Sequence, residues 1–204
     1  MTSRYHVTGS EGDFEPGSNG QVLHNYLGIT NPADMFVAEA KLLSDLYVQV
    51  FDDFPEKLSF QTLYIWHKAW LGNVYPWAGE SRTVNMSKPD IQFAAAIQIP
   101  SLSAQFEDRY LNQFTDLPVM NDDDLVSFLA TMHVEFILIH PFREGNGRIA
   151  RLLLDVMAVK AGAQPLDYGL WEKHKDYYFK AIQAGRDGDC QHVERLIRDV
   201  LDEQ

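Results

Sequence analysis

The order of apolar and polar residues along this chain predicts a mostly helical protein. Between residues 121 and 139, apolar side chains recur at spacings of three and four, as expected for one buried helix face. They are Leu125, Phe128, Leu129, Met132, Phe136 and Ile139. The preceding run Asn121-Asp-Asp-Asp124 combines a polar cap with early acids, so it predicts the helix start. A second buried helix follows, with core positions at Ile149, Leu152, Leu153, Val156 and Met157.

The remaining segments complete a helical bundle with one small hairpin. Helical patterns cover residues 31–51, 59–71, 94–114, 170–183 and 191–201, and Pro100 is expected to kink or restart the third of these. Residues 81–93 alternate weakly around the turn signal Lys88-Pro-Asp90, which predicts a short hairpin. Residues 1–20 contain few apolar side chains and are expected to be irregular. We therefore predict an all-α fold, with one domain over residues 21–204 and its core at about 58–165.

Composition narrows the classes of function. The net charge of −12 argues against a nucleic-acid-binding protein, which would present a basic face. No apolar run approaches the roughly 20 residues of a membrane span, and the N-terminal residues lack the apolar stretch of a signal peptide. The single cysteine, Cys190, excludes an internal disulfide. We expect a cytoplasmic protein that binds neither nucleic acid nor membrane.

One segment combines most of the candidate chemistry. The run His140-Pro-Phe-Arg-Glu-Gly-Asn-Gly-Arg-Ile-Ala-Arg151 contains a possible base, a carboxylate, a glycine-rich turn and two arginines. Gly145 and Gly147 would let backbone amides approach a ligand closely. The helix that follows points its N-terminal N–H groups and positive dipole end at this turn, which favours an anion. The two arginines of its first turns are three residues apart, where guanidinium groups could bind phosphate oxygens.

This segment resembles the signature of the Fic family, His-x-Phe-x-(Asp/Glu)-Gly-Asn-Gly-Arg-x-x-Arg, at every specified position. The resemblance extends to Val74-Tyr-Pro-Trp-Ala-Gly79 with Arg82-Thr-Val, and to Val22-Leu-His-Asn-Tyr-Leu-Gly-Ile29. It implies a Fic-type helical bundle over residues 21–204, with a β-hairpin flap that covers the active site. It also implies transfer of AMP from ATP to a Ser, Thr or Tyr hydroxyl of a target protein.

The resemblance assigns roles to the motif residues. His140 would be the general base for the incoming hydroxyl, and Glu144 would hold Mg²⁺ against the α- and β-phosphates. Asn146, with the amides around Gly145 and Gly147, would stabilise charge on the α-phosphate. The β- and γ-phosphates would be bound by Arg148 and Arg151.

Other assignments rest on weaker resemblance. Asn25 belongs to a segment that comes near the adenine in similar proteins. Tyr178 is a further candidate neighbour of the nucleotide, although core packing explains it equally well. The candidate flap tip, expected to align the target's backbone by strand addition, comprises Lys88, Pro89, Asp90, Ile91, Gln92 and Phe93. The alternative for this segment is an ordinary surface hairpin.

Regulation is where the sequence departs from part of the family. Many relatives carry an inhibitory helix with a (Ser/Thr)-x-x-x-Glu-(Gly/Asn) motif, whose Glu pairs with the second motif arginine. Here only Ser103–Glu107 and Thr131–Glu135 have that spacing, and neither is followed by Gly or Asn. We therefore expect inhibition in trans by a small antitoxin-like partner whose Glu would bind Arg151, or another form of control.

Three alternatives to adenylylation stay open at this stage. The same site could use another nucleotide or phosphate-containing donor. It could remove AMP from a modified protein, which would require a carboxylate beside the site to activate water. The chain could also be a non-catalytic nucleotide-binding module, although pure binding would not require a base. A metal pair formed by His133 and His140 lacks a third ligand, so we expect His133 to be structural.

Overall fold

The computed structural model describes residues 6–8, 13–88 and 91–202, and the predicted flap residues Pro89 and Asp90 lie outside that range. Strand β1 spans His6–Thr8, β2 spans Asn85–Lys88 and β3 spans Ile91–Gln92. The α-helices are α1 Pro32–Asp52, α2 Phe60–Leu71, α3 Ile99–Arg109, α4 Asp122–Ile139, α5 Asn146–Lys160, α6 Gly169–Lys173, α7 Lys175–Arg186 and α8 Gln191–Asp202. Short 3₁₀ helices occupy Ala96–Gln98 and Leu111–Val119. The all-α prediction is confirmed.

Helices α4 and α5 form the centre of the bundle. They pack on each other, α4 also contacts α3, α7 and α8, and α5 also contacts α2. Side-chain caps begin the principal helices where the sequence predicts them: the Asn121 side chain accepts a hydrogen bond from the amide of Asp124 at 3.0 Å. Ser59 and Thr62 form a capping box at the start of α2. The motif therefore lies between the two most buried helices.

Two of the predicted helices are wrong in their continuity. The segment 94–114 is divided into a 3₁₀ turn, α3 and a second 3₁₀ helix. Pro100 lies in the first turn of α3, where a missing N–H breaks no hydrogen bond, so of the two expected effects it restarts the helix and does not kink it. The segment 170–183 is divided at His174, whose backbone is not helical at φ −112° and ψ 42°. Apolar spacing continues across this break, which is why the pattern concealed it.

The small sheet has three antiparallel strands in the order β1-β2-β3. The predicted hairpin is confirmed as β2 and β3, with Ser87 opposite Gln92 and Lys88 opposite Ile91. The prediction of an irregular segment over residues 1–20 is wrong for β1, because Val7 pairs with Met86. A three-residue strand is too short to show periodicity, and its partner lies far along the chain. Within the described residues, no helix is long and apolar enough to cross a membrane.

Candidate active site

A cavity of about 830 Å³ opens between the α4–α5 loop, α1, the hairpin and α7. Its wall contains most of the residues that the sequence singled out, namely His140, Glu144, Gly145, Gly147, Arg148, Arg151, Tyr178, Lys88, Ile91 and Phe93. Asn25, Asn146 and Gln92 do not line it. Arg143 is buried and adds a third arginine to the wall. The cavity is large enough for a nucleotide-sized ligand.

His140 lines the cavity, and one of its ring nitrogens is hydrogen-bonded to the backbone. It ends α4 in the left-handed conformation, at φ 50° and ψ 58°. Its Nδ1 lies 3.0 Å from the carbonyl oxygen of Ile137, which can only accept, so Nδ1 carries the proton. In the neutral ring, Nε2 then holds the lone pair. The Phe93 ring stacks on the imidazole with centroids 3.7 Å apart, which fixes the plane of the ring.

Arg82 joins the hairpin to the end of α4, and the sequence did not reveal this role. Its Nε donates to the carbonyl of His140 at 2.7 Å, and its Nη1 donates to that of Val84 at 2.6 Å. Nη2 reaches the carbonyls of Ala94 and Ile139. A buried arginine needs such acceptors, because its charge is otherwise costly away from water. The side chain therefore holds His140 and the hairpin in one fixed arrangement.

Gly145 makes the turn before α5 possible. Its φ of 83° favours glycine, and a Cβ there would lie 2.5 Å from Cζ3 of Trp70. The first intrahelical bonds run from the amides of Arg148 and Ile149 to the Gly145 carbonyl, each at 3.0 Å. The amides of Asn146 and Gly147 precede these bonds at the positive end of the helix dipole. This turn is built to receive an anion.

The Asn146 side chain is bonded within the loop between α4 and α5. Its Nδ2 donates to the Phe142 carbonyl at 2.7 Å, and its Oδ1 accepts from the Phe142 amide at 2.8 Å. The side chain is fully buried and does not line the cavity. Direct charge stabilisation by this side chain stays a prediction, and the structure shows it bonded to the Phe142 backbone. The side chain closes the loop that presents His140 and the glycine-rich turn.

Arg148 is held by a carboxylate from the distant helix α1. Its Nη1 lies 2.7 Å from Oε2 of Glu39, and its guanidinium lies 4.5 Å from the centre of the Trp70 ring. Glu39 is buried, and its Oε1 accepts a 2.7 Å hydrogen bond from the Tyr75 hydroxyl. Glu39 was not among the predicted site residues. The available signal was its position on the buried face of α1, between Met35 and Leu46, because a carboxylate there requires a partner.

Arg151 pairs with a glutamate of its own chain. Its Nη1 lies 2.6 Å from Oε1 of Glu172 on α6, and its guanidinium lies 5.1 Å from the centre of the Tyr168 ring. We expected this arginine to await a partner's glutamate, and Glu172 was not among the predicted site residues. The position four residues before Glu172 is Tyr168 and not Ser or Thr, so this segment does not match the inhibitory motif. Its side chain is about half exposed, unlike that of Glu39.

Glu144 offers a carboxylate at the cavity wall. Its Oε1 accepts from the Gly145 amide at 3.0 Å and lies 3.6 Å from Nη2 of Arg148. The buried ring of His67 supports the loop here: its Nδ1 accepts from the Gly79 amide at 2.8 Å, so its Nε2 donates to the Glu144 carbonyl at 3.1 Å. Burial lowers the pKa of His67 to about 4, which keeps the ring neutral in this role.

The chemistry of this wall fits Mg²⁺ brought in with a nucleotide. Among the described residues, no group of three or more histidine, cysteine, aspartate or glutamate side chains forms a cage for a metal ion. Mg²⁺ is often held by one or two carboxylates together with substrate phosphates. Glu144 supplies one carboxylate to the cavity wall, beside the anion-binding turn.

Of the two residues predicted from weaker resemblance, Tyr178 lines the cavity and Asn25 does not. Tyr178 lines the cavity, while its hydroxyl shares a 2.8 Å hydrogen bond with Nε2 of the fully buried His133. His133 lies in the core, as expected for a structural residue. Asn25 is buried away from the cavity, and its amide holds a local turn by donating to the carbonyls of Leu23 and Ile29.

The hairpin covers one side of the cavity. The buried side chains of Ile91 and Phe93 face it, and the Lys88 ammonium lies 4.2 Å from the centre of the Phe179 ring on α7. This contact joins the hairpin to α7 on the far side of the opening. The Gln92 side chain is exposed and does not line the cavity.

Comparison with known proteins gives this geometry a family. The profile of the Fic/DOC family matches residues 57–158, half of the chain. Protein adenylyltransferase Fic of Nematostella vectensis is 30% identical over 135 residues, which are 64% of this chain and 29% of that protein. Protein adenylyltransferase VbhT of Bartonella schoenbuchensis is 28% identical over 158 residues, which are 74% of this chain and 32% of VbhT. The chain thus spans about a third or less of the length of these curated relatives.

Solved structures share the fold at low sequence identity. The BepC protein of Bartonella tribocorum, with bound AMPPNP, has a TM-score of 0.73 and 23% identity over 87% of this chain and 91% of that one. An N-terminal Fic domain from Bartonella quintana, with bound ADP, has a TM-score of 0.75 and 22% identity over 92% of both chains. Taken with the match to the family profile and with the arrangement of the motif, these similarities show that the chain belongs to the Fic/DOC family.

Proposed function

We propose that this chain is a protein adenylyltransferase, which transfers AMP from ATP to a hydroxyl side chain of a target protein. The observation that carries the proposal is that His140, whose Nδ1 donates to a backbone carbonyl, lines one cavity together with an anion-binding turn and three arginines. The curated relatives bear the name protein adenylyltransferase, and structural relatives hold AMPPNP or ADP. A site for binding alone would not need the base.

The reaction balances as a single displacement. Nε2 of His140 accepts the proton of the target's hydroxyl while that oxygen attacks the α-phosphorus of ATP. The bond from the α-phosphorus to the oxygen that bridges it to the β-phosphate breaks, and pyrophosphate leaves with the electron pair. A base of this kind contributes about 10²–10⁴-fold to rate. The Ile137 carbonyl, which accepts from Nδ1, stabilises the imidazolium that forms.

Binding the phosphates requires an exchange of partners. The amides of Asn146 and Gly147, at the start of α5, approach the α-phosphate, while Arg148 and Arg151 bind the outer phosphates. Arg151 must exchange Glu172 for phosphate oxygens, and this is easier than freeing Arg148, whose partner Glu39 is buried. Mg²⁺ would be held by Glu144 and would neutralise phosphate charge when bound.

The target protein and an inhibitory partner would both bind at this cavity. An extended target segment would lie along the hairpin and place its hydroxyl beside His140. A small antitoxin-like partner would inhibit by directing a carboxylate to Arg151, where it would have to displace Glu172. ATP is a cytosolic nucleotide, so we place the reaction in the cytoplasm.

Label transfer tests the reaction. Purified protein is incubated with a cell lysate and with ATP labelled on the α- or the γ-phosphate, with and without Mg²⁺. We expect label from the α-phosphate alone, dependent on Mg²⁺ and lost in His140→Ala. His192→Ala is the matched control, because His192 is exposed on α8 and does not line the cavity.

Each other outcome would indicate a different activity. Label from the γ-phosphate would show a kinase. Transfer that persists in His140→Ala would remove the proposed base. ATP binding without any transfer, in the presence of lysate and Mg²⁺, would favour the non-catalytic module.

A further inference from the structure

A polar network lies behind Arg151, outside the cavity. The Tyr168 hydroxyl lies 3.1 Å from the backbone carbonyl of Arg151 and 3.0 Å from Oδ1 of Asp155, and the Tyr168 ring lies under the Arg151 guanidinium. Asp155 also accepts from the Leu166 amide at 2.9 Å and from the Tyr47 hydroxyl at 2.8 Å. The network thus joins α1, α5 and the segment before α6 at one arginine.

Asp155 is an unusual residue for the middle of a buried helix. Only 2% of it is exposed, and burial raises the pKa of its carboxyl to about 6. A buried carboxylate is costly unless hydrogen bonds satisfy it, and here three donors do so. An apolar side chain would serve packing alone at this position, so the carboxylate indicates that something must be held in place.

Tyr168 contacts Arg151 in two ways. The ring supports the guanidinium from one side, and the hydroxyl is anchored between the Arg151 carbonyl and Asp155. Tyr168 itself does not line the cavity, so any effect on a ligand passes through the arginine. Glu172 holds the same guanidinium by an ion pair. When an anion displaces Glu172, the aromatic support remains.

We infer that Tyr168 and Asp155 are positioning residues, which hold the Arg151 guanidinium in the orientation that binds the outer phosphates of ATP. The inference rests on the proposed function, in which Arg151 binds those phosphates. Because Tyr168 and Asp155 already restrict the Arg151 side chain to one orientation, less conformational entropy is lost when the nucleotide binds. Tyr47 donates from its hydroxyl to the other carboxylate oxygen of Asp155, Oδ2, at 2.8 Å.

A double-mutant cycle tests this coupling. Dissociation constants for ATP and for adenosine are measured by calorimetry in the full chain, in Tyr168→Leu, in Arg151→Ala and in the double variant. We expect Tyr168→Leu to weaken ATP binding about threefold to tenfold and to leave adenosine unchanged. In the Arg151→Ala background it should cause no further loss, because residues that act through each other are not additive.

Two further variants separate positioning from folding. Tyr168→Phe keeps the ring and removes the hydroxyl, so it should weaken ATP binding by a smaller factor, about twofold to threefold. Tyr64→Phe is the control, because it removes a hydroxyl bonded to Ser81, outside both the network and the cavity. It should leave ATP binding unchanged, whatever its effect on the melting temperature.

The outcomes are distinct. Equal weakening by Tyr168→Leu in both backgrounds, equal weakening of ATP and adenosine, or no weakening would overturn the positioning role. In those cases Arg151→Ala would still weaken ATP binding, and the proposed function would stand. If Arg151→Ala itself leaves ATP binding unchanged, the phosphate role of Arg151 fails, and the inference that depends on it fails too.

Discussion

At the scale of single residues, two glycines of one turn have opposite requirements. Gly145 has a positive φ and no room for a Cβ beside Trp70, whereas a Cβ on Gly147 would meet nothing within 4 Å and its backbone is helical. Gly145→Ala should therefore destabilise the fold by about 2 kcal/mol or more. Gly147→Ala should raise stability by about 0.5–1 kcal/mol and still weaken nucleotide binding, because its methyl group enters the cavity.

Urea unfolding and ATP titration of both glycine variants check this. Loss of stability in Gly147→Ala, or a stable Gly145→Ala, would contradict the assignment of the two positions. Tight ATP binding by Gly147→Ala would show that the nucleotide does not approach this amide.

Glu172→Gln provides the second residue-scale prediction. It removes the ion pair that occupies Arg151, so ATP should bind severalfold more tightly, and more so at low salt. Glu135→Gln is the matched control, because it breaks a similar exposed pair with Arg109 that lies outside the cavity. Unchanged ATP affinity in Glu172→Gln would mean that the pair does not compete with the nucleotide.

At the scale of elements, the site depends on how a hairpin and a helix end are joined. Arg82→Lys keeps the charge but cannot make the fork of bonds to the carbonyls of His140 and Val84. We expect a loss of about 2–4 kcal/mol in unfolding free energy and a loss of transfer activity, since His140 would no longer be held. Arg198→Lys, at an exposed pair with Asp123, should change neither quantity. A fully stable Arg82→Lys with normal activity would show that these hydrogen bonds of Arg82 do not hold His140.

At the scale of the whole molecule, buried titratable groups set the pH dependence of stability. Burial lowers the pKa of His133 to about 3, so below about pH 6.5 the unfolded chain binds a proton that the folded chain does not. Stability is therefore lost as pH falls, by about 2 kcal/mol from pH 7 to pH 5 for this histidine. His67 acts in the same direction. Asp155, with its raised pKa, opposes them, because its folded form keeps its proton up to about pH 6.

Urea unfolding of His133→Asn at pH 7 and at pH 5 tests this contribution to the free energy of unfolding. The variant should be less stable than the natural chain at pH 7, since the contact with Tyr178 is altered, yet lose about 2 kcal/mol less between pH 7 and pH 5. An unaltered slope in His133→Asn would mean that His133 titrates equally in both states.

The sequence by itself determined the helical class, most helix starts, the hairpin and the segment that forms the site. These features depend on short-range physics: apolar spacing, side-chain caps such as Asn121, and the backbone freedom of Gly145 act within a few residues. The tertiary structure decided which side chains hold the site. Glu39 forms an ion pair with Arg148, and Glu172 forms one with Arg151. Arg82 donates to the His140 carbonyl, and Asn146 donates to the Phe142 carbonyl inside the loop. For Glu39 and Arg82 the partners lie 109 and 58 residues apart, and for the pairs nearer in sequence an intervening turn sets the geometry. The periodicity of apolar residues does not predict these contacts, because they depend on how the elements pack in space.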